Sequence, residues 1–395
     1  MTLALAAMLS AVALAEEQSR VYQSGNTWVQ ETKGTIPAGS QLHVKVAMGS
    51  VQVLGNAASG VSYTIRHVAY TSSEQEARSQ FARYHISASN HAEHSTITAE
   101  WSGKAPRKFS GSFEVAAPRN LEFVEVETQG GDVNIRDIAG NVETQSGGGS
   151  ARIAEIGGSV RAETGGGNVT IGKVGSTAKV ATGGGNVELG DIGGEVGIDT
   201  GGGNVRLASA KGAVRIETGG GNIHAQKCNG AMKATTGGGN IEIGEVGGGA
   251  QMESGGGSIR LISASGRIEA QTAAGYLDLG RVYEGIRAET GGGGITAQFV
   301  SGGLGSDSEL ETPSGDIILY LASDVKMSVR AAIEVAGGHR IISDFPEIRI
   351  AKEGDDWGAK TFTAEGSLNG GGPVLKVHTT TGNIEFRRLS ESAKR

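Results

Sequence analysis

Cysteine is almost missing from this chain: Cys228 stands alone among 395 residues, which excludes an intrachain disulfide. Aromatic residues make up 5% and proline contributes six residues. A conventional globular core of this length would hold more Phe, Leu and Trp. The formal charge of −7 is mild and gives no electrostatic case for nucleic acid. Long apolar runs are also lacking. The one candidate, residues 1–15 (MTLALAAMLSAVALA), is too short to span a bilayer. It ends in the Ala-Leu-Ala of a signal-peptidase site, so it reads as an export signal with the mature chain starting at Glu16. No second apolar segment follows, so no membrane span is expected in the mature chain. The expected destination is the periplasm, the cell envelope or the outside of the cell.

What the chain has in excess is glycine, 67 residues, and the glycines are periodic. The clearest copy of the repeat, residues 163–180, reads ETGGGNVTIGKVGSTAKV. A Thr or Ser opens each copy at 128, 146, 164, 182, 200, 218, 236, 254, 272 and 290, nine intervals of eighteen without a slip. A fixed period of this size marks a stacked architecture in which each repeat adds one layer.

With Thr/Ser as position zero, offsets −4, −2 and 0 are apolar or small, as in Val214, Ile216 and Thr218, and the residues between are polar. Offsets +5 and +7 repeat the alternation (Ile241 and Ile243), and a lone apolar residue follows at +10 (Val246). Period two is the mark of a half-buried strand. The expected fold is therefore all-β: a parallel β-solenoid, right-handed, with eighteen-residue coils and irregular capping ends. Volume is traded inside coils: Met232 with Ala234 is followed by Ala250 with Met252, as a shared packed layer requires. Offset +3 is Gly in every copy, whereas +1 tolerates Gln129, Ala273 and Pro313. Position +3 is accordingly expected to hold a left-handed backbone conformation.

The expected organisation is a signal peptide at 1–15, an N-terminal β region at 16–125, regular repeats at 126–322, and a C-terminal β region and cap at 323–395. In the N-terminal region, AMGSVQVLG reads as an early degenerate copy with Gly49 at +3. Residues 73–84 (SEQEARSQFARY) form the one helix candidate, with a Ser73/Glu76 capping box and Ala77, Phe81 and Tyr84 on one face, suited to cover an open end. Past the repeats, residues 312–321 form a copy displaced by a four-residue insertion. Residues 327–335 and 340–350 read as longer strands, broken by Phe345–Pro346 and by glycines 354–358, and TTTGNIEF closes the series.

The outward columns carry the candidate sites. At offset +6, Arg152, Thr170, Glu188, Arg206, His224, Glu242, Arg260 and Asp278 alternate in sign, a self-neutralising ladder. Asn168, Asn186, Asn204, Asn222 and Asn240 line offset +4 and are expected to stack amide on amide. Calcium is excluded because the residue after the glycines is Asn or Ser in most coils rather than Asp. His91, Glu93 and His94 lie in a hairpin without a third clear ligand, so no metal site is assigned. Cys228 falls in an inward column and reads as a packed core thiol. No adjacent coils are read as stacking two carboxylates at one offset beside a base, and nucleophile, P-loop and dinucleotide motifs are absent. No catalytic, cofactor-binding or metal residue is therefore assigned.

The stretches HVKVAMGSVQVLG, FEVAAPRNLEFVEVETQGGDVNI, the GGGN copies, TPSGDIILYL and TTTGNIEF together resemble the bacterial DUF4097 family, whose members carry an adhesin label, and more distantly the head GIN domain proteins. The resemblance implies an exported β-solenoid and brings no catalytic or ligand residues. Three functions are consistent with this pattern. The first is an exported, non-catalytic structural or adhesive surface that meets cell-surface polysaccharide or an envelope protein. The others are a carbohydrate-active enzyme on a β-helix scaffold and a self-assembling scaffold.

Overall fold

A computed structural model describes residues 18–106, 108–300, 305–353 and 361–389. The expected export signal at 1–15 and the glycines at 354–358 lie outside them. Among the described residues there are 36 strands and one helix, arranged as a β-solenoid. The chain divides into two compact units, residues 1–183 and 184–395.

In the first unit the strands Phe123–Thr128, Asn141–Ser146, Val160–Thr164 and Ala178–Thr182 stack in parallel in one sheet. Val133–Ile138, Ala151–Ile156 and Val169–Ile171 stack in parallel in the other. The pairing is Val142 to Val160 and Ser146 to Thr164, so the eighteen-residue period of the sequence is the register of the sheet. The degenerate copy is a true coil. Gln41–Val46 pairs with Phe123–Thr128, and Ser50–Ala57 pairs with Val133–Ile138.

The chain order then departs from the stacking order. Beyond the coil at 41–57 lie His94–Trp101 and Phe109–Pro118, each pairing in parallel with it. Antiparallel strands finish both sheets. Tyr84–His91 lies on His94–Trp101, while Val61–Ala69, Thr27–Ile36 and Gln18–Ser24 follow Phe109–Pro118 in turn. The helix Glu74–Phe81 packs against these terminal strands, burying Ala77 and Phe81. Its Ser73 Oγ accepts from Glu76 N, the forward half of the expected capping box. The return half differs: the Glu76 carboxylate takes the Thr71 hydroxyl at 2.7 Å.

The second unit repeats the plan. Val196–Thr200, Val214–Thr218, Met232–Thr236, Ala250–Ser254, Ile268–Thr272 and Ile286–Thr290 stack in parallel at intervals of eighteen. Ala288 then faces Leu310, an interval of 22 that locates the four-residue insertion. The closing TTTGNIEF copy is not the last layer. Val374–Thr381 lies between Ser308–Ser314 and Met327–Ile333, and Ile384–Arg388 between Ile317–Leu321 and Ile341–Ser343. Antiparallel Thr361–Leu368 and Arg349–Glu353 finish that sheet. The strand expected over 340–350 is thus split into Ile341–Ser343 and Arg349–Glu353, broken at Phe345–Pro346 where proline supplies no ladder donor.

The inward columns are buried as the alternation requires, including Ile241, Ile243 and Val246. Met232 faces Ala250 and Ala234 faces Met252 across the ladder, so each large side chain rests on a small one. Cys228 is buried, its Sγ 3.4 Å from the Gly212 carbonyl, and burial pushes its thiol pKa up.

The opening Thr/Ser column does more than fill space. Thr218 Oγ1 donates to the carbonyl of Gly203 in the preceding coil at 2.8 Å and accepts from Gly221 N in its own coil at 3.2 Å. Ser254 and Thr272 do the same to Gly239 and Gly257, and Thr164 to Gly149. A hydroxyl is needed because the site is buried and presents one donor and one acceptor; an unpaired group of this kind costs about 1–3 kcal/mol.

The expected reason for glycine at +3 is corrected. Left-handed φ occurs at Gly49 (130°) and Gly315 (151°), in copies flanking the regular series, but at no regular +3 glycine for which the Cβ environment is described. There the constraint is stacking. A Cβ on Gly221 would lie 2.1 Å from the Gly203 carbonyl oxygen, and one on Gly167 2.1 Å from that of Gly149. Position +1 is also crowded: a Cβ on Gly219 would meet the Gly201 oxygen at 2.1 Å. Position +2 is open, with nothing within 4 Å of a Cβ on Gly220 or Gly238.

Candidate functional site

Several outward charges of the regular coils pair with one another. Arg161 pairs with Glu163 on its own strand and with Glu143 on the neighbouring coil at 3.5 Å. Arg215 pairs with Glu217, His224 with Glu242 at 3.3 Å, and Arg260 with Asp278 at 3.4 Å. These groups are half exposed, so each pair contributes about 0–1 kcal/mol. Their consequence is neutrality over short distances.

The asparagine column behaves differently from the expected amide-on-amide stack. Asn186 Oδ1 accepts the backbone N–H of Asn204 at 2.8 Å, Asn204 that of Asn222 at 2.9 Å, Asn222 that of Asn240 and Asn240 that of Ser258. The amide oxygen satisfies a bend N–H that the sheet ladder does not reach. Asp132 does the same for Ser150, and Asp316 for Asn383.

One exclusion made on the sequence does not hold. Parallel pairing sets Glu125 beside Glu143 and Asp199 beside Glu217, and Arg215 pairs with Glu217. Two carboxylates at one offset with a base beside them do therefore occur. Glu125 and Glu143 share the −3 column, and Asp199 and Glu217 the −1 column. Asp199 and Glu217 sit on a flat strand face and line none of the grooves described next.

Three concave regions stand out among the described residues. In the first unit, Lys45, Trp101, Glu127 and Gln145 border a groove of about 680 Å³ crossed by the Lys45–Glu127 pair at 2.7 Å. In the second, a region of about 430 Å³ is bordered by His378, which lies 3.6 Å from Glu311 and 3.1 Å from Glu334. The largest, about 1000 Å³, also belongs to the second unit. It runs across four coils at offsets +2 to +6, from Tyr276 through Gly294 to Asp316 and Thr381.

The HAEH residues form the expected hairpin, His91 facing His94 with Ala92 at φ 55° in the turn. His94 instead meets the His43 ring at 5.6 Å, and His43 Nδ1 lies 2.6 Å from Glu125. Among the described residues no three His, Cys, Asp or Glu side chains are placed to hold a metal ion.

No protein-family model matches the chain, and no curated protein matches it. Three solved structures are similar at low identity. One is a "putative cell adhesion protein" from Clostridium sporogenes, 8% identical, covering 95% of this chain and all of that one at a TM-score of 0.17. Another is a "putative adhesin" from Bacteroides fragilis, 9% identical, covering 91% and 97% at 0.24. The third is a "putative lipid binding protein" from Parabacteroides distasonis, 12% identical, covering 75% and 94% at 0.24. No described helix is long and apolar enough to cross a membrane.

Proposed function

We propose that the chain is an exported, non-catalytic β-solenoid of the DUF4097 kind that acts as a structural or adhesive surface toward cell-surface polysaccharide or an envelope protein. The observation that carries this reading is the internal satisfaction of the regular coils. Several outward charges pair within their strand or with a neighbour one coil away, and bend N–H groups are taken by the asparagine column. Such a face offers area, reach and repetition rather than a reacting centre. The export signal at residues 1–15 supplies the route out of the cell.

Excision of whole periods tests it. Removing residues 218–235, and then 200–235, preserves the stacking register. Adhesion of cells displaying the protein is expected to fall stepwise with each coil, while single substitutions in the charged +6 column, such as Arg206→Ala, leave it unchanged. Glycan turnover abolished by substitution of one carboxylate, Glu217→Gln for example, with folding intact, would replace this reading with the enzyme.

A further inference from the structure

The outward columns of the second unit change character in one place. Along the +4 column of the second unit the side chains run Asn204, Asn222, Asn240, Ser258, and then Tyr276 and Gly294 before Asp316 and Asn383 resume the polar series. The +6 column changes at the same coils. Asp278 is followed across the ladder by Thr296 and Ile318, so charge alternation stops. Both ladders end at the largest groove.

Tyr276 is 69% exposed, the most exposed large hydrophobic residue described. Its ring lies along Gly294: a Cβ there would meet ring carbons at 3.5 and 3.7 Å. The missing side chain at Gly294 leaves room for that edge of the ring, and most of the ring is open to solvent. Beyond it the floor is Gly293, Gly315 and Gly382. Asp316 Oδ1 accepts both Asn383 N (2.7 Å) and Asn383 Nδ2 (3.1 Å), whereas its Oδ2 has no partner among the described residues. His339, from the connection between Met327–Ile333 and Ile341–Ser343, borders the groove.

We propose that this groove binds a neutral polysaccharide, with one pyranose ring stacked on Tyr276 and a sugar hydroxyl donating to Asp316 Oδ2. An exposed aromatic face suits the C–H side of a sugar, and the free carboxylate oxygen suits its hydroxyl edge. Asp278 is already paired with Arg260, whereas Asp316 has no ion pair among the described residues and disfavours an acidic glycan. The site crosses four coils, about 14 Å at the usual strand spacing, and lies open to solvent, which suits a segment of polymer better than a single sugar. It rests on the reading of the chain as a non-catalytic binding surface and names the ligand class.

The test is affinity electrophoresis of the full chain through gels containing a soluble neutral glucan or, separately, polygalacturonate. The glucan is expected to retard the protein and the polygalacturonate is not. Tyr276→Ala should weaken retardation by about tenfold or more with unchanged melting, and Tyr276→Phe should stay close to the parent, since the ring is the platform. Excising residues 218–235 should leave glucan retardation intact even as cell adhesion falls. Retardation insensitive to Tyr276→Ala, retardation by polygalacturonate alone, or no retardation by either polymer would overturn the site. The adhesion series with shortened chains separately decides the broader function.

Discussion

The regular coils and the N-terminal end of the first unit solve the same burial problem by different means. Between residues 133 and 297 the buried apolar side chains are Val, Ile, Leu, Ala, Met and one Cys, stacked in columns in which a large side chain rests on another aliphatic one or on a small one one coil away. At the N-terminal end the helix and antiparallel strands enclose an aromatic cluster. His67 meets Tyr84 edge-on at 4.5 Å and stacks on Phe109 at 5.5 Å, and Trp101 meets Phe109 at 4.6 Å. Repetition limits each layer to side chains that the next layer can match. An end without such a neighbour can use large rings, and it carries a buried imidazole, His67.

The sharpest way to break this comparison is to place a charge in each kind of column. Ile243→Asp sets a carboxylate in an enclosed layer and should cost more than about 4 kcal/mol, or prevent folding. Thr170→Asp, on an outward position next to buried Val169, should be near neutral. Chemical denaturation of the two variants measures this, and equal losses would refute the inward and outward assignment.

The next largest effect belongs to the end alone. His67 is buried among rings, its Nε2 has no partner among the described residues, and burial lowers its pKa to about 4. Because the folded pKa lies below the unfolded value of 6.5, the unfolded chain binds the proton first as pH falls. The His67 contribution is therefore complete above pH 6.5 and declines between 6.5 and 4, by about 3 kcal/mol in total. A His67→Phe variant should lose that part of the pH dependence in urea titrations.

Hydroxyl and glycine positions sharpen the account of the coils. Thr218→Val removes both bonds of the buried hydroxyl and should cost about 1–3 kcal/mol, with Thr218→Ser losing less. Thermal melting should also show Gly221→Ala destabilising clearly, since its Cβ would strike the Gly203 carbonyl. Gly220→Ala, pointing into open space, should shift melting least of all. Gly220→Ala as damaging as Gly221→Ala would contradict the stacking explanation.

Much of this was legible in the sequence, because a solenoid writes its register into its period. The inward columns, the coil at 41–57, the insertion before Leu310 and the helix at Glu74–Phe81 were all visible as spacing. What spacing does not carry is contact between layers. The hydroxyl ladder, the side-chain-to-backbone asparagine bonds and the close approach at Gly221 each join residues fifteen or eighteen apart through particular atoms. The intercalation of 374–388 before 327–343 was hidden for a related reason: copies show what stacks, but chain order does not give stacking order. The groove at Tyr276 could have been found by asking where both outward ladders stop at once.

The most direct test of the central claim, that each eighteen-residue period is a self-satisfied layer, is the melting curve of the chain lacking residues 218–235 beside one lacking only 218–226. The full-period excision joins Glu217 to Thr236 and restores every column, so a cooperative transition close to that of the parent is expected. The half-period excision sets inward residues against bends and should abolish the cooperative transition. If both chains melt alike, or the full-period excision alone fails to fold, the coils are not the independent layers described.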